Sequence, residues 1–298
     1  MRIKLATVFS GIGAIEFALK RLSIEHEIIF ACDNGEREIS YDVEKERTIV
    51  RNLESIEEKR KYVDNLYASL TGKRNYVEQS YLANYSYCNK NRYFQDVVLL
   101  DGRDFNNQVD LFVGGSPCQS FSSVGFQAGL EDTRGTLFYE FARLVKEINP
   151  KVFIYENVRN LLKHDKGNTW RVIKQVFDEL GYDYKFDVLN AADYGIPQTR
   201  RRLFVVGFRK DLNISFEFPP VPKKLKYNMK DFTENKCHIG GMFYNDSGDI
   251  VFDNISGIPD DKYILSPKLY DYVMKTGTKT FVQRVEINKD IARTILKT

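Results

Sequence analysis

Lys4-Leu5-Ala6-Thr7-Val8-Phe9-Ser10-Gly11-Ile12-Gly13-Ala14-Ile15-Glu16-Phe17-Ala18-Leu19-Lys20-Arg21-Leu22 runs from a short apolar strand through a glycine turn into a helical pattern, and Glu27-Ile28-Ile29-Phe30-Ala31-Cys32 follows as a second strand. This is a βαβ unit. Strand-like runs recur at residues 97–100, 109–113, 152–155, 184–189 and 203–208, with helical patterns at 137–148 and 170–180. Strands alternating with helices predict an α/β fold, a doubly wound and mostly parallel sheet.

Two stretches break the rhythm. Residues 36–78 are rich in Glu, Lys and Arg, with Ile49, Leu53 and Ile56 at helical spacing, which predicts one or two long exposed helices. Their acids and bases nearly balance, so the segment reads as a solvated face rather than a DNA-binding arm. Pro219-Pro220-Val221-Pro222 marks a second change. Beyond it Gly, Asn, Asp and aromatics mix with short strand signals such as Ile250-Val251-Phe252. The predicted division is a domain over 1–218, carrying the charged helical insertion at about 36–78, and a smaller lobe of loops and short strands over 219–298.

The 298 residues, 43% hydrophobic and 29% charged, are enough for a full-sized core and a second lobe. No stretch approaches the roughly 20 apolar residues that cross a bilayer, and the first residues enter a strand directly, so a cytoplasmic protein without membrane contact is expected. Cys32, Cys88, Cys118 and Cys237 lie far apart, and only three histidines are present. Neither a disulfide framework nor a metal site is predicted. A net charge of +3 is too mild to argue for nucleic acid by itself.

The chemistry lies at the ends of the predicted strands, where open α/β sheets bind their ligands. Val109-Asp110-Leu111-Phe112-Val113 empties into Gly114-Gly115-Ser116-Pro117-Cys118-Gln119. A cysteine on that turn, ringed by Gln119, Ser120, Ser122 and Ser123, reads as a nucleophile whose reactive form is the thiolate. A second strand ends in Tyr155-Glu156-Asn157-Val158, and a cationic run, Gln198-Thr199-Arg200-Arg201-Arg202, opens a third. Thiol, acid and cation together suit a heteroaromatic base such as cytosine. Thiolate addition at C6 pushes electron density to C5, and negative charge then develops over N3 and O2. Glu156 suits protonation at N3, while Arg202 with Arg200 suits O2. The turn Phe9-Ser10-Gly11-Ile12-Gly13 lets the backbone approach a ligand, but Glu16 stands where a dinucleotide fingerprint has its third glycine. A smaller nucleoside cofactor fits better. Asp33, 20 residues after Gly13, is placed for ribose hydroxyls, and Asp104 for the exocyclic amine of an adenine.

These segments, in this order, resemble the cytosine-C5 DNA methyltransferase family: Phe9 to Gly13 its cofactor loop, Pro117-Cys118-Gln119 its nucleophile motif, Glu156-Asn157-Val158 its acid motif, and Gln198 to Arg202 its Gln-x-Arg-x-Arg motif. Asp132 to Phe138 and Leu189 to Pro197 also look like family segments. The resemblance implies a class I methyltransferase, Rossmann-like fold with S-adenosylmethionine as donor. Phe9, Gly11, Gly13, Asp33, Asp104, Phe105, Pro117 and Leu137 would line its pocket. Cys118, Glu156, Arg202 and Arg200 would be catalytic, and Gln119, Ser122 and Asn157 would contact the substrate. It further implies duplex DNA as partner, a target cytosine rotated out of the stack, and residues 219–298 as an incomplete target-recognition lobe reading the major groove.

Two departures from the family pattern stand out. Asn34 occupies the place where members often put a stacking residue, and Ala292-Arg293-Thr294-Ile295-Leu296-Lys297-Thr298 resembles a strand that precedes the family's closing helix. A second polypeptide carrying that helix, or its loss, is therefore expected. Two rival readings are an RNA cytosine methyltransferase, whose Cys-Phe-Thr signature is absent, and a catalytically silent relative that binds DNA or a partner. Intact Cys118, Glu156 and Arg202 speak against the silent relative.

Overall fold

β1 (Ile3–Val8) is an apolar run whose last four residues are buried, as a strand covered on both faces requires. In the computed structural model it pairs in parallel with β2 (His26–Cys32) on one side and β4 (Leu111–Gly114) on the other. The described residues are 2–85, 88, 90–117, 137–221, 228–229, 237–238, 242–244, 250–252, 256–257, 266–275 and 289–293. β2 continues the parallel pairing to β3 (Tyr93–Phe94), and β4 to β5 (Val152–Val158). β8 (Arg201–Arg209) runs antiparallel to β5, and β6 (Tyr182–Asn190) lies at its far edge. The seven-stranded order is β3-β2-β1-β4-β5-β8-β6. A mostly parallel, doubly wound sheet was expected, and this is one.

Helices α1 (Ala14–Arg21), α5 (Leu137–Ile148) and α6 (Asn168–Glu179) connect these strands. α5 repeats apolar residues at helical spacing, and Phe138, Phe141, Ala142, Val145 and Ile148 are all buried. Together with α6 it closes an aromatic core: the Phe141 ring stacks on Phe112 at 5.2 Å, and Phe177 stacks on Phe153 at 5.4 Å. Rings of this kind add packing specificity to their large buried area.

Two sequence expectations are corrected here. Residues 97–100, read as the third strand, form a turn, and the strand lies earlier at Tyr93–Phe94. The run Val97-Val98-Leu99-Leu100 is apolar because it packs into the core, not because it pairs in a sheet. The charged segment also differs: it folds as three helices, α2 (Val43–Asn52), α3 (Ile56–Leu70) and α4 (Tyr76–Asn84). Each starts at a side-chain cap, Asp42, Ser55 in a capping box with Glu58, and Asn75. These helices keep an exposed outer face, as expected, but their inner face is buried. Val50, Val63 and Tyr67 bury against Leu99, and Lys59 and Arg60 are themselves buried.

The chain separates into two compact units, residues 1–189 with 202–218, and residues 190–201 with 219–298. Within the second, β7 (Gln198–Thr199) pairs in parallel with β13 (Ala292–Arg293). The short pairs β9 (Cys237–His238) with β12 (Ser256–Gly257), and β10 (Met242–Tyr244) with β11 (Ile250–Phe252), are antiparallel. α7 (Pro267–Met274) is capped by Ser266 with proline in its first turn. No helix among the described residues is long and apolar enough to cross a membrane.

Candidate active site

Glu156 and Arg202 come from neighbouring antiparallel strands whose register sets Val158 opposite Arg202 and Glu156 opposite Phe204. The pairing brings the Arg202 Nε 2.9 Å from Glu156 Oε1, with both side chains partly open to solvent. The loop after β4 lies against the same carboxylate. A Cβ on Gly115 would stand 2.8 Å from Glu156 Oε2, so glycine is what admits the acid beside this loop. Ser116 and Pro117 follow at once. Asn157, only 2% exposed, pins them: its amide donates to the Ser116 carbonyl at 3.0 Å and to the Tyr155 hydroxyl at 2.8 Å, and its Oδ1 accepts from the Val158 N–H. The Ser116 hydroxyl closes the set on Tyr155 at 2.7 Å.

The second part of the site is the turn after β1. Phe9, Gly11 and Gly13 all have positive φ, at 55°, 54° and 89°. For Phe9 that backbone costs of order 1–3 kcal/mol and must be held by its surroundings. A Cβ at Gly11 would meet nothing within 4 Å, whereas one at Gly13 would strike the Tyr85 ring at 2.1 Å. The turn therefore has an open side at Gly11 and a filled side at Gly13. Asp33, at the end of β2, faces the turn: its Oδ2 accepts from the Gly11 N–H at 2.9 Å and its Oδ1 from Gly35 at 2.8 Å. Each carboxylate oxygen keeps a lone pair for a further donor. Open space, an oriented carboxylate and the N-terminus of α1 meet here, an arrangement that can accept hydrogen bonds from a polar ligand.

A family model described as C-5 cytosine-specific DNA methylase matches residues 65–296. The chain belongs to the C-5 cytosine-specific DNA methylase family. Among individual relatives, the orphan methyltransferase M.Rho11sI of Bacillus phage rho11s is 30% identical over 300 residues, 97% of this chain and 52% of that protein. The type II methyltransferase M.HhaI of Haemophilus parahaemolyticus is 51% identical over 123 residues, 41% of this chain and 37% of that protein. This methylase-family chain thus spans about half the length, or less, of such curated relatives. In fold it is similar to the Dnmt2 methyltransferase of S. pombe, with a TM-score of 0.50 and 18% identity over 80% of this chain and 61% of that one. The seven-stranded sheet, with β8 antiparallel to β5, is accordingly a class I methyltransferase fold.

The structure brings together Glu156 and Arg202, and separately Phe9, Gly11, Gly13 and Asp33. Cys118, Gln119 and Ser122 lie outside the described residues. Pro117, exposed, is the last described residue before them. Arg200 falls in the second unit, where its N–H is held by Asn190 Oδ1 at 3.1 Å. Leu137 is half-buried at the start of α5, against the core. Three further predicted residues have their partners within the fold. Asp104 sits in a 3-10 turn, Gly102–Phe105, and gives both oxygens to Lys59 Nζ at 2.7 and 2.8 Å. Phe105 is buried in the core with its ring 4.6 Å from that of Phe30. Asn157 has its amide spent on the loop, where contact with substrate was expected. The first acid after β3 is Asp96.

Asp96 is buried and accepts from the hydroxyls of Tyr41 at 2.6 Å and Tyr67 at 2.9 Å. Burial pushes its carboxyl above the ordinary range against the pull of those hydroxyls and the Val98 N–H. Cys32 and Cys88 are both buried, and burial pushes the Cys88 thiol up to about 11, so neither offers a thiolate near neutral pH. Sequence reading missed Asn75, Tyr81 and Tyr85, which reach the glycine turn and Asp33 from the helical segment. Their spacing is that of any helix face, and no local signal sets them apart.

Proposed function

We propose that this chain carries the catalytic machinery for methylating C5 of a cytosine in duplex DNA, with S-adenosylmethionine as the donor. The observation that carries the reading is the Glu156 and Arg202 pair against Gly115-Ser116-Pro117, the loop whose next residue is Cys118. Gly11, Gly13 and Asp33 would hold the cofactor, with Asp33 accepting from ribose hydroxyls. When bound, that cofactor supplies an electrophilic methyl group. The target base is rotated out of the helix, since its C6 is inaccessible in a stack.

In this reading the Cys118 thiolate adds to C6 of the ring, forming the C6–S bond and driving electron density towards C5. Glu156 delivers a proton at N3, and the Arg202 guanidinium donates hydrogen bonds to O2, so the displaced charge is neutralised where it develops. After C5 takes the methyl group, with its carrier released as a neutral thioether, a base removes the proton from that carbon, the C6–S bond breaks, the sulfur leaves with its electron pair, and N3 returns its proton to Glu156. Residues 219–298 serve as the target-recognition lobe, with Arg and Lys side chains on phosphates and others on base edges.

The test uses labelled S-adenosylmethionine with duplex DNA and with transfer RNA, for the wild type and for Cys118→Ser. Incorporation into duplex DNA alone, lost in Cys118→Ser while DNA binding persists, is expected. Full activity of Cys118→Ser, or incorporation confined to RNA, overturns the reading.

A further inference from the structure

The helical segment between β2 and β3 reaches the glycine turn from beneath at several points. Tyr85, just beyond α4, is buried with its hydroxyl donating to the Gly13 carbonyl, and its ring fills the volume that a side chain at residue 13 would need. One helical turn earlier, Tyr81 donates to Glu16 Oε1 at 2.7 Å. That residue is 0% exposed, its carboxylate is also held by Thr7 at 3.0 Å, and its Oε2 has no hydrogen-bond partner among the described residues. Thr7 in turn bonds Ser10 at 2.8 Å, whose hydroxyl bridges to both the N–H and the carbonyl of Cys32. Asn75, the cap of α4, donates to the Asp33 carbonyl at 3.0 Å. Both the turn and the acid opposite it are thus fastened to one element.

We infer that Tyr85 is a positioning residue for cofactor binding, holding Gly11 and Gly13 in their left-handed conformations through the Gly13 carbonyl, and that the 43–85 segment is the support of the cofactor site. This rests on reading the turn as the cofactor turn. Gly13 at φ 89° and Gly11 at φ 54° give up more backbone freedom than other residues would, so an unsupported turn would sample many shapes. A ligand binding such a turn must first order it, and affinity falls by the fraction of time the competent shape is absent. Tyr85 removes that cost by ordering the turn beforehand. The Gly13 carbonyl also accepts from the Phe17 N–H at 3.1 Å, so α1 begins with or without the tyrosine hydroxyl. Loss of the hydroxyl alone should therefore loosen the turn and leave the fold standing.

Tyr85→Phe keeps the ring in its slot and removes only the donor. The full chain is measured by calorimetric titration with S-adenosylhomocysteine, by hydrogen exchange over residues 9–17 and by thermal unfolding. Tyr184→Phe, whose hydroxyl bonds Asp178 at 2.8 Å away from the turn, is the control. The expected result is about fivefold weaker binding for Tyr85→Phe, the factor that one net hydrogen bond corresponds to. Faster exchange confined to 9–17 and an unfolding temperature near that of the wild type and the control should accompany it. Wild-type affinity with unchanged exchange overturns the inference, as does an equal loss in the control. If the wild type itself fails to bind, the cofactor reading falls and with it the cofactor role of Tyr85. The exchange data then still decide whether Tyr85 holds the turn.

Discussion

At residue 157 the side chain does as much as an amide can. It donates to a loop carbonyl and a tyrosine hydroxyl and accepts from the next N–H, all while 2% exposed. Replacement by alanine would leave the Ser116 carbonyl without that donor in a buried setting, at a cost of about 2 kcal/mol. Asn157→Ala should therefore lower the unfolding temperature by several degrees and slow methyl transfer by displacing the 115–117 loop. Scanning calorimetry and the incorporation assay check this, and a variant with unchanged stability and rate would show that the amide is dispensable. Its place in the acid motif made Asn157 a candidate, and its neighbours in space decided what it touches. The same holds for Glu156 and Arg202, which are 46 residues apart in sequence and meet only because β5 and β8 run antiparallel.

Among the elements, α3 shows how charge in a helix can be misread. Lys59 and Lys61 are two residues apart, yet Lys59 is buried against Asp101 at 2.8 Å and Asp104 at 2.7 Å, while Lys61 meets Glu57 in the open. Burial pulls the Lys59 ammonium down, but hydrogen bonds to Asp101 and Asp104 outweigh it and hold the group above its ordinary value. Without Lys59, Asp101 keeps only the Arg103 guanidinium as a cation among the described residues, and the partly exposed Asp104 loses this cation, at a cost of about 2 kcal/mol. Lys59→Met should show that loss in urea unfolding, whereas Lys61→Met should unfold like the wild type. Equal midpoints for all three proteins would mean the buried cluster contributes nothing. The helical period of this segment was legible, since caps and apolar spacing are local. Which charges face inward was not, because that depends on Leu99, Asp101 and Asp104, some 40 residues further on.

Over the whole molecule, two sets of carboxylates oppose each other. Burial holds Asp64, Glu78 and Asp96 above the ordinary range, outweighing nearby cations and hydrogen bonds. Asp101 and Asp110 are held below it, because hydrogen bonds from Arg103 and Lys59, and from Lys151 and the Lys4 N–H, outweigh burial. A raised acid binds its proton more tightly in the fold, so stability rises as pH falls through its folded value. A depressed acid contributes stability above its unfolded pKa of about 4 and loses it as pH falls towards its folded value. Maximum stability should thus lie on the acid side of neutrality, above about pH 4, with a steep loss below. Urea midpoints measured across pH 3 to 8 check this; a steady decline from pH 7 downward would show the raised set to be without weight.

The sequence by itself determined the α/β alternation, the glycine turn after β1, the thiol, acid and cation motifs in order, and the family. These are local or order-dependent signals: periodicity, turn chemistry and motif spacing are written along the chain. Only the tertiary structure decided that the third strand is Tyr93–Phe94, that Asp104 serves Lys59, and that the charged helices are the underside of the glycine turn. Such facts turn on which side chains meet after folding. An apolar run packs equally well as a strand or a turn, and a tyrosine on a helix finds its acceptor only when two distant segments are brought face to face.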